Sequence, residues 1–236
     1  MARLGIIISG TIFQQTDIFH VLKEEKNVET EFGNAQLLVS DRTIYLLRHG
    51  NDPRHYILPH LINYQANLKA LKDIGVSEVI AVNSTGSLKK TLKPGTLMVP
   101  HDFIMLSGGL SIFSNKAVHV TPSLDENIRQ KWLKAARQCG VEVVDGGIYW
   151  QTTGPRLETV AEIGLMSQFA DVVGMTMASE AIIAKELELP YAALCSIDNY
   201  GHGLVKKPLT MEQIMRQAHK NTEAVLQIMM TYIERS

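Results

Sequence analysis

The chain has few cysteines, few aromatic residues and no excess of charge of either sign. Its 236 residues include two cysteines and 6% aromatic residues, and the formal net charge is -1. Two thiols do not build the disulfide framework of a small secreted domain, and the spacing of Cys139 and Cys195 matches no zinc motif. The balanced charge provides no basic surface for nucleic acid or an anionic membrane. We therefore expect a cytoplasmic protein that binds neither.

Long hydrophobic runs and the common nucleotide-binding motifs are also missing. The apolar stretch at residues 4–8 is too short for a secretory signal or a membrane span. No Gly-x-x-x-x-Gly-Lys loop is present, and no Gly-x-Gly-x-x-Gly follows the first apolar run, which disfavours nucleoside triphosphates and dinucleotides as ligands. No group of His, Cys, Asp and Glu has metal-ligand spacing, so we expect no metal and no other cofactor.

Short apolar runs alternate with amphipathic stretches along the whole chain. Runs that are apolar on both faces are typical of strands covered by helices on two sides. The alternation predicts a single α/β domain over residues 1–236, with a central mixed β-sheet flanked by helices. The predicted strands are residues 4–8, 35–39, 44–47, 79–82, 96–99, 141–144, 172–174 and 192–197.

Apolar residues at three-and-four spacing predict five helices between these strands. A cap signal at Ser123 and a glycine at Gly140 mark the ends of one of them. Residues 108–119 show no clear period, which predicts a mobile or interface loop. The predicted helices are residues 63–74, 123–139, 158–169, 178–189 and about 210–233.

Polar residues follow four of the predicted strands in short loops. Ligands of α/β sheets gather where the carboxyl ends of strands meet such loops, and N–H groups, hydroxyls and cations there suit phosphate. Each loop alone is also compatible with an ordinary turn or helix cap. The loops are Ser9-Gly10-Thr11, Arg48-His49-Gly50 with Arg54 and His55 close behind, Asn83-Ser84-Thr85-Gly86-Ser87, and Gly174-Met175-Thr176.

Two further segments suit a flat polar ligand. Residues 153–159 place the carboxylate of Glu158 beside a Gly-Pro turn. Residues 196–202 form a run of mostly polar residues at the end of an apolar strand, and this run includes Asp198 and Asn199. A strand end followed by Asp-Asn is equally compatible with a simple turn.

Taken in order, these segments resemble the purine nucleoside phosphorylase and methylthioadenosine phosphorylase family, whose members are trimeric. The resemblance covers nearly the whole chain and is closest to the branch that acts on S-methyl-5′-thioinosine. It is carried by residues 63–72, residues 86–88 with 93–95, residues 154–159, and residues 170–176 followed by Glu180.

The resemblance implies that phosphate attacks the anomeric carbon of a nucleoside while the purine departs, so that phosphate is a co-substrate. It implies that Thr11, Arg48, His49, Ser84 and Thr176 hold phosphate, that Met175 lines the sugar, and that Glu158 and Asn199 bind the base. His49, Glu158 and Asn199 would then take part in catalysis, by placing the anion and stabilising charge on the leaving purine.

The base-binding residues indicate a 6-oxopurine. In the adenine-preferring branch the residue at the position of Asn199 is an aspartate, whereas an asparagine amide can donate to O6 and accept from N7–H. Glu158 would accept from N1–H, which adenine lacks. If the alignment slips by one residue, Asp198 takes the base position and adenine becomes the expected base.

The last helix indicates the group at the 5′ position. Relatives that act on inosine place a histidine near its start, whereas this chain has Met211, with Ile214 and Met215 one turn on. That surface suits a methylthio group, at about 0.8 kcal/mol per buried CH₂, although the same stripe would also serve as helix core. The combination predicts 5′-methylthioinosine as the preferred substrate, with inosine and guanosine as secondary ones.

The resemblance also implies a contact between subunits, and the sequence departs from the family pattern at several positions. His119 matches a residue that reaches across a trimer interface in relatives, so it is a further candidate substrate contact. Ile12 replaces a glycine, the loop with Arg54 and His55 is longer, and Gly201 replaces a polar residue. Three alternatives stay open: a methylthioadenosine phosphorylase, a nucleosidase that uses water, and a nucleoside-binding relative without catalysis.

Overall fold

Short apolar segments form the strands of one mixed sheet, and the amphipathic segments form helices around it. The computed structural model describes residues 3–9, 24–50, 52–108, 110–206 and 210–235. The strands are β1 (Arg3–Ile8), β2 (Glu24–Thr30), β3 (Gly33–Val39), β4 (Thr43–Leu47), β5 (Val76–Ser87), β6 (Leu97–Val99), β7 (Asp102–Met105), β8 (Val143–Asp145), β9 (Ile148–Gln151), β10 (Val172–Gly174) and β11 (Tyr191–Tyr200). The helices are α1 (Tyr64–Asp73), α2 (Glu126–Cys139), α3 (Val160–Met166), α4 (Met177–Glu186) and α5 (Met211–Glu234), with short 3-10 turns at Pro53–His55 and Pro59–Leu61.

The long strand β5 organises the sheet. The strand order is β2-β3-β4-β1-β5-β10-β9-β7, and β11 also pairs with β5 and continues into β6 and β8. β1 lies parallel to both β4 and β5, and β11 lies parallel to β5. The carboxyl ends of β1, β4, β5 and β11 therefore meet at one edge of the sheet, which is where parallel strands of α/β proteins present ligand-binding loops.

The helix ends follow ordinary capping chemistry. Asn63 and Asp125 accept hydrogen bonds from backbone N–H groups in the first turns of α1 and α2, and Gly140 ends α2 in the left-handed conformation at φ 69°. Thr159 and Glu162 form a reciprocal capping box at the start of α3. These caps fix where the chain leaves each helix and enters the next loop.

The core lies between the sheet and the helices. Strands β1 and β4 are buried on both faces apart from Arg3, and α1 packs against β2, β3 and β5 and buries Leu68 and Leu71. α2 and α5 pack together on the opposite side, where Trp132 contacts Tyr232 with ring centroids 5.0 Å apart. The five helices of the described residues include none whose length and hydropathy would let it span a bilayer.

The structure confirms the predicted α/β class with a mixed central sheet, and it corrects several boundaries. The prediction for residues 172–174 holds without change, whereas the strand expected at 141–144 begins two residues later. The strands expected at 79–82 and 192–197 are much longer because β5 and β11 continue to pair through polar residues as far as Ser87 and Tyr200. β2, β7 and β9 were not predicted.

The predicted helices also need correction at their ends. The helix expected at 123–139 begins at Glu126, and that expected at 178–189 ends at Glu186. The helix expected at 158–169 covers only Val160–Met166, because the capping box makes Thr159 the N-cap. Glu158 therefore lies in the loop before the helix, where its side chain is not constrained to a helix face. Most of the loop predicted at 108–119 has no regular structure, and Ser111 and Ile112 anchor it to Glu186.

Candidate active site

One cavity lies at the edge of the sheet where the parallel strands end. Its volume is about 760 Å³, and it is lined by residues from the ends of β1, β4, β5, β10 and β11, from the loop before α3, and from the first half of α5. Of the residues predicted to bind ligand, it brings together Arg48, His49, Ser84, Glu158, Met175, Thr176, Asn199, Met211 and Met215.

A buried ion pair forms the floor of the cavity. Arg48 is 3% exposed and donates from Nε to Glu180 Oε1 at 2.6 Å and from Nη2 to Glu180 Oε2 at 3.1 Å. Its remaining hydrogen bonds are to the carbonyl of Val82 at 2.7 Å and that of Ile7 at 3.4 Å. Burial lowers the pKa of Arg48, but the Glu180 carboxylate outweighs this effect and the net pKa is raised. Within the described residues, one N–H of Nη1 stays available for a ligand.

His49 lines the same end of the cavity and is neutral at physiological pH. Its Nδ1 lies 2.7 Å from the carbonyl of Ile57, and its ring stacks on Tyr56 with centroids 4.5 Å apart. Burial lowers the pKa of His49 to about 4, against the opposing effect of the Ile57 carbonyl and with a further decrease from Arg48. Because a neutral ring that donates from Nδ1 has a lone pair on Nε2, His49 presents a hydrogen-bond acceptor.

Thr176 contributes a donor. The Asn83 amide donates from Nδ2 to Thr176 Oγ1 at 2.8 Å, which leaves the Thr176 hydroxyl proton free to point to a ligand. Asn83 is 1% exposed, and its Oδ1 has no partner among the described residues. Its hydrogen bond to Thr176 satisfies the donor of this buried amide.

The backbone N–H groups at the start of α4 are already used by side chains of β9. Tyr149 Oη accepts from the N–H groups of Thr176 and Met177, and Gln151 Oε1 accepts from those of Ala178 and Ser179. These N–H groups are therefore not available to an oxyanion, contrary to the simple expectation for a strand-to-helix loop.

Ser84 is exposed to the cavity, but its hydroxyl proton is committed. It donates to Asp198 Oδ2, and the other oxygen of Asp198 accepts from Ser196 Oγ at 2.6 Å and from Asn221 Nδ2 at 2.9 Å. Asp198 is 2% exposed. Burial raises its pKa, and the hydrogen bonds from Ser196, Ser84 and Asn221 oppose that shift.

Asn199 and Glu158 also line the cavity. Asn199 pairs with Gly86 across the sheet, and a Cβ atom at Gly86 would lie 3.0 Å from Asn199 Nδ2, so the close approach favours glycine there. Glu158 Oε1 accepts from Thr152 Oγ1 at 2.7 Å, and its second oxygen has no partner in the described part of the chain. The two side chains thus offer an amide and a free carboxylate oxygen to one ligand.

The first turns of α5 line the cavity with apolar side chains and with Glu212, Arg216, His219 and Lys220. Met211 is 62% exposed and Met215 is 50% exposed, and both line the cavity together with Ile214 and Ala218. Because Met211 and Met215 are exposed, they are not part of the hydrophobic core. The alternative that this stripe is helix core is therefore wrong for the first turns of α5. The core stripe of the same helix begins later, at Val225, Ile228 and Met229.

Some predicted residues lie elsewhere. Thr11 and Ile12 lie outside the described residues. His119 is exposed and does not line the cavity of its own chain. Arg54 and His55 are also exposed and interact with Asp52 on their own 3-10 turn, so neither joins the cavity.

The sequence analysis did not assign roles to several residues that support the site. Glu180 holds Arg48, Asn83 holds Thr176, and Asn221 joins α5 to Asp198. The residues in these contacts are between 23 and 132 positions apart in the chain, so no local sequence motif predicts them. Among the described residues, no group of three or more His, Cys, Asp and Glu side chains is arranged to hold a metal ion.

The fold is shared with a nucleoside phosphorylase of known structure. The structure aligns with methylthioadenosine phosphorylase from Schistosoma mansoni in complex with adenine at a TM-score of 0.89 and 24% identity, covering 99% of this chain and 91% of that one. At this identity the similarity defines the fold alone.

Sequence comparisons define the family. Residues 12–234 match the model of the phosphorylase superfamily, and the chain belongs to that family. A probable 6-oxopurine nucleoside phosphorylase from Archaeoglobus fulgidus is 41% identical, covering 94% of this chain and 92% of that protein. A probable S-methyl-5′-thioinosine phosphorylase from Methanocaldococcus jannaschii is 35% identical, covering 92% of this chain and 89% of that protein. The predicted family and enzyme class are confirmed.

The lowered pKa of the half-buried His49 predicts a pH dependence of stability. Its folded pKa of about 4 lies below the ordinary value of 6.5, so the unfolded chain binds more protons between these values. We expect the free energy of unfolding to fall as the pH decreases from 6.5 towards 4, and His49→Gln to reduce that slope. Denaturant unfolding at pH 7 and pH 5 measures it. His60→Gln, at an exposed histidine, should keep the wild-type slope, and equal slopes in all three proteins would contradict the assignment.

Proposed function

We propose that the protein catalyses phosphorolysis of 6-oxopurine nucleosides, with 5′-methylthioinosine as the preferred substrate and inosine and guanosine as secondary ones. The observation that carries the proposal is a single cavity with three different chemical regions. We assign Arg48, His49 and Thr176 to one region, Glu158 and Asn199 to another, and the methionines of α5 to the third; all of these residues line the cavity. These regions suit an oxyanion, a purine with a carbonyl edge, and an apolar 5′ substituent.

The oxyanion region supports phosphate rather than water as the nucleophile. Arg48 offers a charged N–H from the cavity floor, and Thr176 offers a hydroxyl that Asn83 leaves free to donate. Ser84 and His49 add acceptors for a protonated oxygen of phosphate. A water nucleophile needs no such cradle, which disfavours the nucleosidase alternative. Thr11 is proposed as a further phosphate contact on the resemblance alone.

The base region supports a 6-oxopurine. The free oxygen of Glu158 can accept from N1–H, and the Asn199 amide can donate to O6 and accept from N7–H as the base leaves. Asp198 is engaged by three donors, which argues against the shifted alignment that would give it the base. Adenine would leave Glu158 facing a lone pair, and such a mismatch costs roughly 1–3 kcal/mol.

The reaction needs no other cofactor in this proposal. Phosphate bound beneath the sugar attacks the anomeric carbon while the bond to the purine breaks, and Met175 packs beside the sugar. The protein positions the two reactants and stabilises the negative charge that develops on the base through Asn199 and Glu158. The products are the free purine and the sugar 1-phosphate.

We also propose a homotrimer in the cytoplasm. Large apolar side chains are exposed on the surface, among them Leu61, Leu106 and Phe169, and such surface is commonly covered by another subunit. His119 is exposed and is proposed to reach the cavity of a neighbouring copy. Both cysteines are free thiols, which supports a reducing compartment.

A substrate panel tests the proposed function. Purified protein should release hypoxanthine from 5′-methylthioinosine when phosphate is present and not in its absence, with inosine and guanosine turned over more slowly. Turnover without phosphate would identify a nucleosidase, and binding without turnover would identify a non-catalytic relative. Equal kcat/KM for methylthioadenosine would contradict the assignment of the base.

Replacing Glu158 tests the base region. Glu158→Gln keeps the size of the side chain but removes the charged acceptor for N1–H. We expect kcat/KM for inosine and 5′-methylthioinosine to fall roughly tenfold to a hundredfold, the range for a hydrogen bond to a charged group. Glu223→Gln, at an exposed carboxylate of α5, serves as the control. Unchanged kinetics for Glu158→Gln would remove Glu158 from the site.

Replacing Met215 tests the 5′ wall. Met215→Gln preserves length but makes the wall polar, so the ratio of kcat/KM for 5′-methylthioinosine over inosine should fall about three- to tenfold, given about 0.8 kcal/mol per buried CH₂. Met230→Gln changes an exposed methionine of the same helix that does not line the cavity, and should leave the ratio unchanged. If both variants keep the ratio, the apolar wall does not select the substituent.

A further inference from the structure

The side chain of Ser84 has a fixed direction that the general mechanism does not require. Ser84 is exposed to the cavity, and its hydroxyl donates to Asp198, which lies behind it and is buried. β11 contains an irregularity between Ile197 and Asn199, where Asp198 is the extra residue relative to β5. The bulge places the carboxylate against Ser84 rather than in the ladder of the sheet.

The partners of Asp198 explain why Ser84 directs its proton to Asp198 rather than into the cavity. Asn221 Nδ2 can only donate, and it donates both to Asp198 Oδ1 and to Ser196 Oγ. Because Ser196 already receives that bond, its own proton goes to Asp198. The carboxylate thus accepts from three neutral donors, and the third is Ser84. Ser84 Oγ consequently turns its lone pairs, and not its proton, towards the cavity.

The charges at the cavity floor are balanced, so the direction of the Ser84 hydroxyl determines which anion binds better. Arg48 is matched by Glu180, with both nitrogens of the fork on the two carboxylate oxygens. The floor therefore offers an oxyanion little unbalanced positive charge, and the pattern of donors and acceptors discriminates between anions of similar size. Near neutral pH inorganic phosphate retains at least one O–H, whereas sulfate has none. Sulfate at Ser84 would bring two lone pairs together.

We propose that Ser84 and Asp198 form a proton-accepting subsite that selects hydrogen phosphate over sulfate. This inference rests on the proposed function, since it takes the oxyanion region of the cavity as the phosphate site. Asp198 acts as a positioning residue through Ser84. The ligand class is a tetrahedral oxyanion that carries an O–H group.

Calorimetric titration of the full-length protein with sodium phosphate and with sodium sulfate tests the proposal. Wild type should bind phosphate at least roughly tenfold more tightly than sulfate, the effect of one mismatched polar contact. Ser84→Ala removes one of the two acceptors, the other being Nε2 of His49, and should reduce the preference for phosphate over sulfate severalfold. Asp198→Asn supplies an amide proton for Ser84, which frees the serine hydroxyl to donate, so sulfate should bind more tightly than it does to wild type.

A matched control is available in the same fold. Ser111 Oγ donates to Glu186 Oε1 at 2.8 Å, and neither residue lines the cavity. Ser111→Ala removes the same kind of bond and should leave both affinities and the turnover unchanged. If Asp198→Asn does not fold, as judged by thermal unfolding, Ser84→Ala still decides the question.

The outcomes separate this inference from the proposed function. Wild-type protein that uses phosphate in turnover but binds both anions equally overturns the inference alone. A preference for phosphate that is as large in Ser84→Ala as in wild type overturns it as well. A ribose hydroxyl could also donate to Ser84: if 3′-deoxyinosine loses affinity in wild type but not in Ser84→Ala, while the preference between anions is absent, the acceptor serves the sugar. Lack of phosphate-dependent turnover in wild type overturns the proposed function itself.

Discussion

The ion pair between Arg48 and Glu180 is the interaction on which the cavity depends. Both side chains are almost fully buried, and removing two charges from water costs several kcal/mol for each ion. The geometry offsets that cost: the guanidinium meets the carboxylate with two bonds, and Tyr191 adds a third at 2.6 Å. The loss of either partner would leave the other charge buried and uncompensated.

The same pair joins elements that are far apart in the chain. Arg48 follows β4, Glu180 lies in α4, and the guanidinium also binds the carbonyl of Ile7 in β1 and that of Val82 in β5. Four elements are therefore held at fixed distances around one planar group. Because the residues next to these anchors line the cavity, the positions of His49, Ser84 and Thr176 follow from the ion pair.

The sequence predicted the buried parts of the fold well and its edges poorly. β1 and β4 are apolar on both faces, so their pattern is unambiguous. β2 reads Glu-Glu-Lys-Asn-Val-Glu-Thr and is mostly exposed, because a strand whose one partner among the described residues is β3 needs no apolar face. The polar ends of β5 and β11 have the composition of turns, yet they pair with each other. Because the two strands are far apart in the chain, local sequence patterns do not predict this pairing.

The residues of the candidate site were predictable to a similar, limited extent. The resemblance to a family brought together residues that the structure places in one cavity, including Glu158, Met211 and Asn199. It could not give the direction of their hydrogen bonds. Whether Ser84 donates or accepts is set by Asp198, 114 residues away, and the neutral state of His49 is set by its burial and by Ile57. These properties exist only in the folded chain.

The bulge at Asp198 connects the ends of the cavity. In a regular strand, neighbouring side chains point to opposite faces, so Asp198 and Asn199 would not both line one cavity. The extra residue changes the direction of the strand, and both side chains line it. Asp198 then binds Asn221 of α5, the helix that carries Met211 and Met215. The strand that carries Asn199, the proposed base contact, is thus tied to the helix that carries the proposed 5′ wall, so both ends of the proposed nucleoside site depend on one buried carboxylate.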